Sequence, residues 1–332
     1  MISTSPYRAA REQAARIDRS DRGRIVVSGA DRASYLHGLL TNDITSLKAG
    51  EGCYAAYLTA QGRMIADLFV YELGDVILLS VPIDQRQTVL DKLDQFVFSE
   101  DVQLGDATAS FSTVSIIGPD AARVVGTVTG VGTAELAALP EHGNRRARHD
   151  GGAVIITRES DCGEAGYDVH VEASMADSWR RALDESGVPL LDNETADAIR
   201  IEAGVPRFGR DMDHDTIPLE AGIESRAISF SKGCYVGQEV IIRVMHRGHG
   251  RVVRKLVGLV FEGSAAPAAG AVAQAEGRTI GSVTSSARSP ALEKPIALAY
   301  LHRDFLAPGT TVSVEGMTGV VTELPLIRGV RL

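Results

Sequence analysis

Cysteine is scarce in these 332 residues, occurring only at Cys53, Cys162 and Cys234. Three thiols, odd in number, far apart and without a CxxC pair, exclude a disulfide framework and a zinc ribbon; a reducing, cytoplasmic compartment is expected. Long apolar runs are also missing. Stretches such as Val76-Ile77-Leu78-Leu79 fall far short of the roughly 20 residues that span a bilayer, so no membrane partner is expected. The first residues, MISTSPYRAAREQAARIDRSDRGR, are charged throughout and lack the apolar segment of a secretory signal. Positive charge is in deficit: 34 Lys+Arg stand against 43 Asp+Glu, a formal charge of −9. That balance argues against a nucleic-acid coat or an anionic-membrane binder, so no direct nucleic-acid partner is expected.

Several motifs fail on inspection. There is no GxSxG and no phosphate loop, and Gly126, Gly130 and Gly132 make no dinucleotide fingerprint because Glu135 occupies the place of the final glycine. The segment from Asp211 begins like a calcium loop. Its sixth position is Thr216 and its twelfth Gly222, where glycine and a bidentate glutamate are needed, so it reads as a solvated acidic loop.

What is present is an ordinary globular composition, 44% apolar and 23% charged, long enough for two or three domains. Short apolar runs bounded by turn residues predict strands over 24–27, 53–59, 64–71, 76–81, 113–117, 154–157 and 167–171. Helical periodicity predicts helices over 33–40, with Asp31 as N-cap, and over 85–97, 175–185 and 194–203. Tight turns at 59–62 and 72–75 imply antiparallel hairpins, hence an α+β class. After Gly250 only short strands are read, predicting a C-terminal all-β domain.

Two segments carry candidate chemistry. In Lys232-Gly233-Cys234-Tyr235-Val236-Gly237-Gln238-Glu239 one thiol stands between two glycines beside a lysine, and Arg243 to Lys255 then carries five Lys/Arg and two His without an acid. Nearby positive charge lowers a thiol pKa, so Cys234, helped by Lys232, is a candidate functional thiol beside an anionic ligand. With His246 and His249 it offers three soft ligands but no adjacent fourth, so no metal is expected. The second segment is Glu202, in the last turn of a helix ending at Gly204, where the dipole disfavours a carboxylate. It needs a compensating partner, either Arg200 or Arg207 or a ligand with two parallel N–H donors.

The eight-residue segment resembles the signature of the YgfZ-type folate-binding proteins. Leu40-Thr41-Asn42-Asp43, Tyr54, Gln61-Gly62-Arg63-Met64-Ile65-Ala66-Asp67, Arg200-Ile201-Glu202-Ala203-Gly204 and Pro218-Leu219-Glu220-Ala221-Gly222 resemble landmarks of the superfamily that includes the aminomethyltransferase of glycine cleavage. The resemblance implies a three-lobed ring with tetrahydrofolate or a derivative in a central hole. Its lobes would be a ferredoxin-like folate-binding one (1–25 plus 108–245), a second α+β one with an antiparallel sheet (26–107) and a C-terminal β-barrel (246–332). It implies that Glu202 grips the pterin, that Tyr54 contacts the folate rings, and that Lys232, Tyr235 and Arg243, or Arg247 or Arg251, contribute to folate binding. It further implies an accessory role in iron–sulfur cluster assembly or repair, supporting cluster-dependent enzymes such as tRNA-modifying ones, with iron–sulfur proteins or assembly factors as partners. Ala66 stands where the aminomethyltransferases carry a catalytic aspartate, so a conventional aminomethyltransferase is not expected. A folate-dependent one-carbon transferase using another base is the alternative.

Overall fold

The structure, a computed structural model, describes residues 4–160, 162–246 and 250–327. Its class is α+β, with two five-stranded antiparallel sheets and a closed six-stranded barrel.

The first sheet runs in the order Ala15–Asp18, Phe111–Ile117, Gly166–Glu172, Gly152–Glu159, Asn144–His149. Period-two alternation gives it two different faces. Val114, Ile116, Val154, Ile156 and Val169 pack against Val124, Val125, Trp179 and Leu183 of helices Ala121–Thr129 and Ala176–Glu185. The opposite face is polar yet buried, presenting Thr113, Ser115, Thr157, Glu159, Asp168 and His170.

The second sheet has the order Gly52–Leu58, Met64–Glu72, Ile77–Pro82, Arg22–Ser28, Gln103–Asp106. Strand Arg22–Ser28 belongs wholly to this sheet, so a lobe boundary at residues 25 and 26 would cut through it. Helices Arg32–Leu39 and Arg86–Asp94 cover one face through Leu36, Leu39, Val89 and Leu93. The other face packs on the segment from Phe208 to Val252, so all nine residues of Met64–Glu72 are buried. Buried polar groups need partners, and the two sheets supply them to each other. Arg24 donates to Thr113 Oγ1 at 2.8 Å and the Tyr71 hydroxyl donates to Glu159. Burial, with Arg24 and Arg19 nearby, lowers the His170 pKa to about 3, so this ring is neutral.

The barrel closes from strands Arg254–Phe261, Lys294–His302, Arg278–Ser289, Val272–Ala275, Thr311–Val314 and Met317–Thr322 around Leu259, Phe261, Val283, Ala297 and Val314. Arg200 of helix Asn193–Ala203 ties it to the rest by donating to Ser285 Oγ at 2.7 Å.

One local expectation is refined and one corrected. Asp31 is the N-cap residue of helix Arg32–Leu39, as expected, but its side chain makes no cap bond and its carboxylate accepts from Asp101 N at 2.9 Å. Asp211 is not solvated: its carboxylate is buried, accepting from Arg200 at 2.7 Å and from Arg207 N at 3.0 Å. Among the described residues no helix is long and apolar enough to cross a membrane.

Candidate functional site

Alternation in the hairpin Gly52–Leu58/Met64–Glu72 decides what faces what. Ala66, Leu68 and Val70 point into the apolar core under the helices. Asp67 and Phe69 point the other way and, with Tyr54, wall a cavity of about 230 Å³. The rest of the lining comes from Arg19, Asp21 and Arg22, from Pro82 to Asp84, from Arg200 with Val205 to Arg210, and from Arg226. The Tyr54 hydroxyl donates to Asp67 Oδ2 at 2.9 Å. Burial and the adjacent Asp67 charge push that hydroxyl well above its ordinary pKa, so it remains a donor. Asp67 is only 6% exposed, and its Oδ1 has no hydrogen-bond partner. The rings of Tyr54 and Phe69 lie 5.2 Å apart. Arg22 lies 5.0 Å over Phe69 and Arg226 lies 5.5 Å over Tyr54, giving each aromatic wall a cationic cover.

The cavity wall contains a carboxylate with one buried, unpartnered oxygen, two aromatic rings and a surplus of arginine. An orphan buried acceptor carries a desolvation cost of about 1–3 kcal/mol that an N–H donor removes. Such a wall suits a planar, N–H-bearing ring with an anionic substituent.

Of the described residues expected at the site, Tyr54 alone lines this cavity. Glu202 does not: it is 0% exposed, and Oε2 accepts from Tyr7 Oη at 2.7 Å and from Arg11, while Oε1 accepts from Ser289 Oγ. The two-donor partner expected from a ligand is thus provided by the protein, and neither Arg200 nor Arg207 is that partner. Lys232 does not serve the thiol either. Its ammonium donates to His37 O, to Leu40 O at 2.7 Å and to Asn42 O at 2.9 Å, closing the C-terminal end of helix Arg32–Leu39. Burial lowers its pKa to about 8. Tyr235 is buried in the core beneath the second sheet. Gly237, with φ +86°, lies so close to the 59–62 turn that a Cβ would sit 2.5 Å from Thr59 O. Cys234 is left exposed. Arg243 pairs in solvent with Glu239 at 2.6 Å because helix Gln238–His246 turns Ile241 inward instead. Arg251 lines a separate surface hollow beside the barrel, and Arg247 and His249 lie outside the described residues.

Sequence reasoning missed Phe69, Arg22 and Arg226 and set Asp67 aside. The departure read at Ala66 changes meaning: a side chain at 66 meets the core, and the carboxylate facing the cavity is present at 67.

A further buried cluster lies behind Phe69. His142, whose ring is 5.5 Å from that of Phe69, places Nδ1 3.1 Å from Glu159 Oε2. Burial is the largest influence on Glu159 and raises its pKa to about 7. His142 is raised too, its Glu159 neighbour outweighing its own burial.

The model of the GCVT N-terminal domain matches residues 2–232, and that of the glycine cleavage T-protein C-terminal barrel domain matches residues 254–326. The chain belongs to the glycine cleavage T-protein family. It is 32% identical over 308 residues to an aminomethyltransferase of Streptomyces avermitilis, covering 91% of this chain and 82% of that one. To the aminomethyltransferase of Rubrobacter xylanophilus it is 31% identical, covering 89% and 78%. The crystal structure of glycine cleavage system aminomethyltransferase T from Bartonella henselae superposes with a TM-score of 0.88 at 24% identity, covering 97% of this chain and 89% of that one. Family membership thus accounts for both the barrel and the two sheets.

Proposed function

We propose that the cavity holds the head of a reduced folate and that the chain performs folate-dependent one-carbon transfer of the aminomethyltransferase type. The observation that carries this reading is Asp67 Oδ1, a buried acceptor without a partner in the wall of an aromatic-lined cavity. The relatives named aminomethyltransferase support it. Tetrahydrofolate, when bound, supplies secondary amines able to take up a one-carbon unit. Asp67 Oδ1 accepts an N–H there and can receive the proton released as nitrogen is alkylated. Tyr54 holds the carboxylate by donating to Oδ2. The Tyr54 and Phe69 rings offer apolar faces to a planar ring and keep water away from Asp67. Titration calorimetry with tetrahydrofolate tests the site. Asp67→Asn should weaken binding about ten- to hundredfold, the worth of a hydrogen bond to a charged acceptor. Unchanged affinity would remove Asp67 from the site.

A second reading is the finer kinship with the YgfZ-type proteins, an accessory function in iron–sulfur cluster assembly or repair with assembly factors as partners. The exposed thiol of Cys234, on a loop whose Lys232, Tyr235 and Gly237 are anchored, favours it. In a strain lacking this protein, Cys234→Ala should then fail to restore cluster-enzyme activity; full restoration would end this reading.

A further inference from the structure

Six arginines line the cavity, and five are engaged. Arg19 pairs with Asp21 at 3.2 Å, Arg207 with Asp21 at 4.0 Å, Arg200 with Asp211 at 2.7 Å and Arg210 with Asp197 at 3.1 Å. Arg22 donates to Ser80 O at 2.6 Å. Arg226 differs. Among the described residues its guanidinium has neither an ion pair nor a hydrogen bond, and it rests 5.5 Å over the Tyr54 ring.

Its placement is fixed from behind. Asn42 Nδ2 donates to both Tyr54 O, at 2.8 Å, and Arg226 O, at 3.1 Å, so one side chain sets the spacing between them. Thr41 Oγ1 donates to the next carbonyl, Ala227 O, at 2.6 Å. A half-buried cation held in place without a counter-anion has lost hydration with no compensating charge. Its planar fork matches a carboxylate with two parallel N–H groups.

We propose that Arg226, laid on Tyr54 and positioned through Asn42, receives a carboxylate of the ligand in this cavity. The inference rests on the folate reading of the cavity and adds the chemical class of the group read at its rim. Two sources carry that chemistry: the glutamate tail of the folate, or the carboxylate of an N-methyl amino acid serving as one-carbon donor.

Calorimetry on the full chain, wild type against Arg226→Gln and Arg226→Lys, separates them with matched probes. Tetrahydrofolate is compared with tetrahydropteroate, which lacks the glutamate, and N-methylglycine with dimethylamine, which lacks the carboxylate. Thermal unfolding checks that each variant folds. A loss of about ten- to hundredfold in Arg226→Gln for tetrahydrofolate but not tetrahydropteroate places the tail there. The same loss for N-methylglycine but not dimethylamine places the donor there. Arg226→Lys should recover only part of either, because the fork is lost. Equal affinity of wild type and Arg226→Gln for both carboxylate probes overturns the inference while leaving the folate reading intact. If the wild type binds neither pterin compound, the folate reading fails by itself. The proposal is then decided by N-methylglycine, and the absence of an Arg226-dependent signal overturns it.

Discussion

The loop 232–239 and the hairpin 52–72 invert the usual relation between distinctiveness and chemistry. The loop is the most distinctive stretch of sequence, yet Lys232, Tyr235 and Gly237 spend their side chains and backbone on attachment: a helix end closed, an aromatic buried, a turn packed without a Cβ. The hairpin is a plain apolar β-pair, yet it presents Tyr54, Asp67 and Phe69 to a cavity. Residue types chosen for reactivity and residue types chosen for close packing can look alike in sequence. Partners in space tell them apart.

Adjacent positions of one strand should respond most differently. Ala66→Asp, which puts a carboxylate where the resemblance implies a catalytic aspartate, buries an unpaired charge in the core that holds Leu36, Leu68 and Val70. It should cost about 3–5 kcal/mol in urea unfolding and give no gain in folate-dependent turnover. A stable and more active variant would mean that residue 66 reaches the cavity. Next in size is Lys232→Met, which leaves the carbonyls of His37, Leu40 and Asn42 without their donor. A loss of about 3 kcal/mol is expected, with tetrahydrofolate affinity unchanged once the protein is folded. Gly237→Ala should cost about 1–3 kcal/mol, since it forces a side chain into a left-handed backbone against Thr59 O.

A fourth expected effect is a pH dependence. Glu159 and His142 both have folded pKa values above their ordinary ones, Glu159 at about 7. Groups of that kind contribute stability that is full below the unfolded pKa and is lost as pH rises through the folded one. Unfolding free energy should therefore decline between about pH 5 and pH 8, and Glu159→Gln should flatten the decline. A profile that rises over this range would contradict raised folded pKa values for the pair.

Much of this architecture was legible in the chain. The strand expected over 64–71 is observed as Met64–Glu72, the helix ending before Gly204 does so, with Gly204 at φ +74°, and the shift to an all-β domain after Gly250 is the barrel. Alternation even placed residues 66 and 67 on opposite faces. It could not say which face met the cavity, because every residue of that strand is buried and no polar side betrays the open one. Glu202 shows a second limit. Its need for a partner follows from its place at a helix end, but that partner, Arg11, lies 191 residues away on helix Thr4–Glu12. Arg226 shows a third: that its guanidinium has no ion-pair partner among the described residues is visible only in the fold.

Asp67 is the residue proposed to meet a folate. Calorimetric titration of tetrahydrofolate into wild type and Asp67→Asn, with Glu202→Gln as the control, tests that proposal most directly. Wild-type binding, about ten- to hundredfold weaker in Asp67→Asn and unchanged in folded Glu202→Gln, is the predicted result. Affinity that survives in Asp67→Asn and collapses in Glu202→Gln would contradict it.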